Sequence, residues 1–322
     1  MRKLLLGTTA LAAAFTLSAT ANVAVADVAI SGSYEFSYKS QSSNITALDG
    51  TTFGTDSEVV LSFTNKTDSG LTIGMVTEIE ADDADSAINE GSMSISGGFG
   101  KLVLGGNDGA ANNYSTIALS LIQEEMMDAG NSMSINMKNT EVAGSDANKV
   151  SYHLPAMGGL TAGASFTNAS AAGDSDTTEF GFKYAMDAGG AAITIGGGTS
   201  TLENSTQDVD AQNLGLTVVS GDISVGLSQG SYEGSSIDET STSAAVSFKV
   251  SDVMTVGAFT TEVEDDSTSE ELSVSGVELA YTIAPGLSAV INVEDYDYKV
   301  GTSSGNTADS GTTSRLAIKA SF

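Results

Sequence analysis

Residues 277–293 read VELAYTIAPGLSAVINV, and their two arms decide the fold. Val277, Leu279, Tyr281 and Ile283 occupy every second position of the first arm. Pro285-Gly286 interrupts the run, and Leu287, Ala289, Ile291 and Val293 resume it. Alternation with period two puts the apolar side chains on one face of an extended strand. The Pro-Gly pair marks a turn between two such strands. The unit is therefore a β-hairpin with one apolar face and one face left for Ser, Thr, Gly and charge.

The same unit fills the chain. Val28, Ile30, Tyr34, Phe36 and Tyr38 alternate with Ala29, Ser31, Ser33, Glu35, Ser37 and Lys39. Val59, Leu61 and Phe63 follow, then Leu71, Ile73, Met75 and Ile79, then Met93 and Ile95, then Leu102 and Leu104. The pattern returns at Val150 and runs through Phe166, Phe180, Ile193, Leu216, Val225, Val246 and Val256 to a last strand of Leu316, Ile318, Ala320 and Phe322. About sixteen strands result. Short turns carrying Asp, Gly or Pro alternate with longer polar, acidic links, as in an up-and-down antiparallel meander. The long links are expected at Gln41 to Asp56, Ala81 to Ala87, Asn168 to Asp176, Thr201 to Asp210, Gly230 to Glu239, Glu264 to Glu270 and Val300 to Thr312.

One stretch departs from the pattern. Gly105 to about Asn148 does not alternate. It carries Asp108, Tyr114, an apolar run at Ile117, Leu119, Leu121 and Ile122, and then Glu124, Glu125, Met126, Met127 and Asp128. Irregular inserts of that length inside a compact domain are usually functional.

The chain opens on a separate object. Arg2 and Lys3 precede an apolar run from Leu4 to about Phe15, and small residues end in Ala24-Val25-Ala26. That is the signature of a secretory signal peptide cut before Asp27. The run is too short to span a bilayer as a helix. The expected domains are therefore a cleaved leader, 1–26, and one β-domain, 27–322.

Composition limits the chemistry. No Cys is present, so an exported chain of this kind has no disulfide framework. Acidic residues number 41 against 12 basic ones, a net charge of −29, more negative still once Arg2 and Lys3 leave. Nucleic acid, which needs a basic surface, is excluded as a partner; cations are the natural small partners. The single His is His153, on a polar phase, so neither a zinc cluster nor a Ser-His-Asp triad is expected. The glycine clusters at Gly105-Gly106 and Gly196-Gly197-Gly198 lack the helix that a phosphate loop must open. No enzyme is read here.

Two architectures share this alternation. In a soluble sandwich the apolar faces point inward. In a transmembrane antiparallel β-barrel they meet lipid and the polar faces line a lumen, and the sheet must close because an edge would leave backbone groups unpaired in hydrocarbon. Strands of about 9–11 residues match a tilted span. Tyr152, Tyr184, Tyr281 and Phe322 gather at the short-turn ends, as in an interfacial aromatic girdle. These features favour the barrel. Lys39, Lys149, Lys183, Lys249, Arg315 and Lys319 all fall on polar phases.

The chain resembles an alphaproteobacterial general porin of the trimeric sixteen-stranded type, similar to the Rhodobacter porins. The resemblance rests on Asp27-Val28-Ala29-Ile30-Ser31-Gly32, Thr67-Asp68-Ser69-Gly70-Leu71, Ser96-Gly97-Gly98-Phe99-Gly100-Lys101-Leu102 and the terminal Lys319-Ala320-Ser321-Phe322. It implies a passive diffusion channel in the outer membrane of a Gram-negative bacterium. Turns would be periplasmic and long loops external, and the third long loop, Gly105 to Asn148, would fold into the lumen. It implies acidic roles on that loop for Glu124, Glu125, Asp128 and Asp108, and a basic wall of Lys39, Lys149, Lys183, Lys249, Arg315 and Lys319. The family's arginine cluster is reduced here to one Arg and scattered Lys. Expected partners are outer-membrane lipid, two further copies in a homotrimer, small hydrophilic solutes and cations, and the barrel-assembly machinery through Phe322. No cofactor is implied; loose Ca2+ or Mg2+ at the acidic links is a further expectation.

Rings of carboxylates favour cations, so the pore is expected to prefer them. Two other readings stay open. One is a substrate-specific outer-membrane channel. The other is a secreted, acidic, β-rich surface-layer or adhesion protein that binds calcium.

Overall fold

The structure, a computed structural model, describes residues 27–45, 48–80, 90–122, 147–168, 176–203, 208–301 and 307–322. The leader expected over 1–26 lies outside these residues. So do Asp82, Asp83 and Asp85, and so do Glu124, Glu125 and Asp128.

The alternating segments form sixteen strands. In chain order they are β1 (Asp27–Ser43), β2 (Gly50–Lys66), β3 (Thr72–Glu80), β4 (Glu90–Gly97), β5 (Gly100–Gly106), β6 (Asn148–His153), β7 (Leu160–Thr167) and β8 (Asp176–Ala188). Then come β9 (Ala191–Glu203), β10 (Asp208–Ser220), β11 (Ile223–Gly234), β12 (Ile237–Ser251), β13 (Met254–Asp265), β14 (Glu270–Ala284), β15 (Leu287–Lys299) and β16 (Asp309–Ser321). Each pairs antiparallel with its neighbours in sequence, and β16 closes on β1 to complete a barrel. At the seam the backbone of Phe322 exchanges two hydrogen bonds with Gly32, of 2.9 and 3.3 Å. Residues 277–293 form the hairpin of β14 and β15. Gly286 takes φ = 73°, a left-handed conformation that glycine adopts without steric cost.

Closure settles which face points where. Ile30, Phe36, Phe180, Leu214, Leu227 and Val277 are exposed around the ring, while Ser165, Thr177, Glu179 and Thr261 on the opposite phase are buried. Apolar side chains therefore point out and polar ones in. A water-facing sandwich buries its apolar face; this sheet displays it, which removes the soluble-sandwich reading.

Two expectations need correction. First, several acidic links are much shorter than expected, because the strands run on into them. The link expected over Gly230 to Glu239 is a tight turn between Gly234 and Ile237. The link expected over Gln41 to Asp56 lies largely within β1 and β2, with Ser37 to Gln41 paired against Gly54 to Gly50. The physical reason shows on β15. Ile291 and Val293 face outward, and then the outward positions become Asp295, Asp297 and Lys299, all exposed. The backbone ladder continues against β14 and β16 through these residues. The apolar alternation stops where lipid would stop, so the hydrophobic signal ends before the strand does.

Second, the inner face is not polar throughout. Ala245, Phe259, Val263, Leu272, Val274, Tyr296 and Tyr298 form a buried apolar cluster inside β12–β15, joined by Ala118, Leu119 and Ile122 from the irregular insert. Phe259, Val263, Leu272, Val274, Tyr296 and Tyr298 sit on the phase opposite to their strands' outward apolar residues. The strands invert their pattern towards the long-link end.

Candidate functional site: the inner wall and its strap

The insert begins by turning off β5 and crossing the inner wall. Asn107 caps the exit: its Nδ2 donates to the Gly105 carbonyl at 2.8 Å, and its Oδ1 accepts from Ser151 Oγ at 2.9 Å. One helical turn follows, α1 (Ala110–Asn113), packed on β7, β8 and β9. A second, a 3-10 turn at Ala118–Leu121, packs on β10, β11 and β12. Residues 107–122 thus form a strap along the inside of six successive strands. The run from Ile117 to Ile122 makes this second turn, and Ala118, Leu119 and Ile122 are buried in the inner apolar cluster. The apolar run thus forms a turn and anchors the strap to the wall at once.

The strap is tied down at two places. At its start, the Ala110 amide donates to Ser165 Oγ at 2.8 Å, and Ser165 Oγ donates to Glu179 Oε2 at 2.5 Å. Glu179 also accepts from the Ala110 backbone, and it lies in the fields of Lys149, which attracts it, and Asp108, which repels it. Further on, the Ala118 amide donates to Ser228 Oγ at 2.9 Å. Between the ties, the Tyr114 hydroxyl lies 2.8 Å from His153 Nδ1. Burial pushes the Tyr114 phenol up, so it keeps its proton at neutral pH.

The expected pore residues fall into separate places. Asp108 belongs to the start of the strap, where its Oδ1 accepts from Asn112 Nδ2 at 3.1 Å. Lys149 is buried beside Glu179, and Lys183 stands on the same inner phase of β8. Lys39, Arg315 and Lys319 come together across the β1–β16 seam, where Lys39 lies opposite Arg315 and Glu35 opposite Lys319. Arg315 is ion-paired with Glu35, and Lys319 Nζ lies 3.4 Å from the other Glu35 oxygen. Lys249 stands apart. It is at the short-turn rim, paired with the exposed Asp252 at 2.8 Å. His153 takes its expected place on the inner face of β6.

A group of acidic residues was not singled out from the sequence. Glu35 lies opposite Asp56, Glu58 opposite Glu80, and Glu78 opposite Glu90. Directly opposed residues share a face, so β2–β4 carry five carboxylates on the inner wall beside the seam. The signal was available: each of these residues sits on the polar phase of its strand. Among the described residues, no three carboxylates or histidines converge as a metal site.

A family model described as Gram-negative porin matches residues 7–301. The comparison with curated protein sequences gave no match. Among solved structures, the anion-selective porin from Comamonas acidovorans is similar, with a TM-score of 0.67 and 18% identity over 92% of this chain and 100% of that one. In-vitro-folded OmpT, an outer membrane protein of Vibrio cholerae, gives 0.67 and 15% over 92% and 98%. A triple mutant of the Rhodopseudomonas blastica porin gives 0.67 and 16% over 92% and 100%.

Proposed function

The chain belongs to the Gram-negative porin family, and from that premise we propose a water-filled pore for passive diffusion of small hydrophilic solutes and ions, with cations preferred. Family and fold make it an outer-membrane channel protein and not an enzyme. The finer reading rests on one observation above all: the row of Asp56, Glu58, Glu78, Glu80 and Glu90 on the inner face of β2–β4. Carboxylates lining a pore attract cations and repel anions. The net charge of −29 adds a negative potential at the mouths, which raises local cation concentration. The seam cluster of Lys39, Arg315 and Lys319 opposes this, but Glu35 already offsets part of it.

The strap narrows the passage in this reading, and Glu124, Glu125 and Asp128, which follow it in sequence, add to the negative field. Neutralising those three lowers cation preference more than neutralising Asp82, Asp83 and Asp85. The protein works as a homotrimer, and Phe322, exposed at the seam, addresses the chain to the assembly machinery.

Reversal potential across a planar bilayer in a salt gradient tests the selectivity. A cation-selective sign is expected; an anion-selective sign overturns it. Liposome swelling with uncharged sugars separates a general pore from a substrate-specific one. A general pore sorts them by size alone.

A further inference from the structure

The strap lies on a lane of inward-facing glycines. Gly181 of β8 is opposite Gly198 of β9, Gly196 of β9 is opposite Gly215 of β10, and Gly226 of β11 is opposite Ala245 of β12. Register therefore joins them into one track across the wall. A Cβ at Gly215 would overlap the Thr116 carbonyl oxygen, and one at Gly181 the Ala110 carbonyl oxygen. At Gly196 it would sit 2.5 Å from the Tyr114 carbonyl oxygen, at Gly198 2.7 Å from Ala111 Cα, and at Gly226 2.9 Å from Ala118 Cα. In each case the obstacle is strap backbone, which no rotamer change can clear. None of these glycines has a positive φ, so glycine stands there for space and not for conformation. Interior glycine weakens a strand and often marks a close approach of another chain segment.

Two inner glycines away from the strap, Gly54 and Gly74, differ. A Cβ at Gly54 would meet Ser37 Oγ at 2.9 Å, and one at Gly74 would meet Ser94 Oγ at 2.7 Å. Those hydroxyls can rotate away.

We propose that this glycine lane sets the size limit of the channel, by recessing the strap into the wall and so leaving the passage open. The inference rests on the channel reading above. Its physics is that of a close-packed interior, which transmits an added atom instead of absorbing it. Behind the strap stands a closed hydrogen-bonded sheet that cannot retreat. The strap is held at Ala110 and at Ala118, so its middle, near Thr116, can move only towards the axis. A methyl at Gly215 displaces it by about 1–2 Å before ordinary contact distances return.

The test uses the full chain refolded in detergent, with Gly215→Ala and Gly226→Ala as probes and Gly54→Ala and Gly74→Ala as controls. Two quantities are read: single-channel conductance, and liposome swelling rates for neutral sugars of increasing size. Gly215→Ala is expected to lower conductance by about two-fold and to slow the largest sugars most. Gly226→Ala follows in the same direction with a smaller change, and the controls match the parent. A folded Gly215→Ala with parental conductance and size limit overturns the proposal, as does a variant that conducts more. If Gly215→Ala does not fold, Gly226→Ala decides, since its backbone obstacle at 2.9 Å needs only a small shift; an unchanged size limit there overturns the proposal. A parent without conductance overturns the channel reading and this inference with it. A conducting parent with unaltered lane variants overturns the inference alone.

Discussion

The two sides of the inner wall are built on opposite principles. From β16 round to β4 the wall is crowded with charge: Lys39, Arg315 and Lys319 at the seam, then Glu35 and the carboxylates of β2–β4. From β7 to β11 its middle is bare, a lane of glycine on which the strap is laid. One side acts through what its side chains carry, and the other through their absence. In a channel these are separable jobs. Charge on a wall sorts ions by sign, while a recessed strap sorts solutes by size. If the proposed roles hold, the comparison teaches that selectivity and aperture sit on different strands and are open to change one at a time.

The strongest challenge to that division is charge reversal on the acidic side. Glu58→Lys combined with Glu80→Lys is expected to cut the cation-to-anion permeability ratio by roughly ten-fold or invert it. The reversal potential reports the ratio, and the sugar size limit should stay put. A shift in size limit of the same order would merge the two jobs.

A more moderate effect is expected where the strap is tied. Glu179→Ala removes the acceptor of Ser165 Oγ, while the Ala110 amide keeps its bond to Ser165. Leaving the buried Ser165 hydroxyl without that acceptor costs about 1–3 kcal/mol. Thermal unfolding in detergent should fall accordingly, and current noise should rise as the start of the strap loosens. Parental noise with parental stability would show that the strap is held without Glu179, by the apolar cluster around Leu119 and Ile122 and the bonds to Ser165 and Ser228.

The smallest effect belongs to Lys249. Its ion pair with Asp252 lies at the rim, with the two side chains 49% and 97% exposed, and exposed pairs contribute about 0–1 kcal/mol. Lys249→Gln should leave stability within error and the reversal potential nearly unchanged. A clear change in selectivity would extend the sorting field from the β16–β4 wall to the rim.

Much of this was legible in the chain. Alternation gave the number of strands, their apolar faces and their order, and it placed Lys39, Lys149, Lys183, Arg315 and Lys319 on the inner phase. It also marked 105–148 as the irregular insert. Three things were not legible, each for a physical reason. Strand ends were missed because pairing outlasts the apolar signal, as beyond Val293 on β15. The inner apolar cluster was missed because Phe259 and Tyr296 share the phase of polar neighbours, so alternation alone reads them as exceptions. The glycine lane was missed because Gly196-Gly197-Gly198 invites a search for a phosphate and not for a strap.

By itself, then, the sequence determined what depends on the period of a single strand: which side chains share a face, and that one face of the sheet is apolar. Only the tertiary structure decided what each face meets. Glu35 meets Arg315 across 280 residues of chain, and Gly215 meets Thr116 across an irregular crossing. Period fixes direction within a strand, but partners across a closed barrel follow from register and closure, which no local pattern encodes.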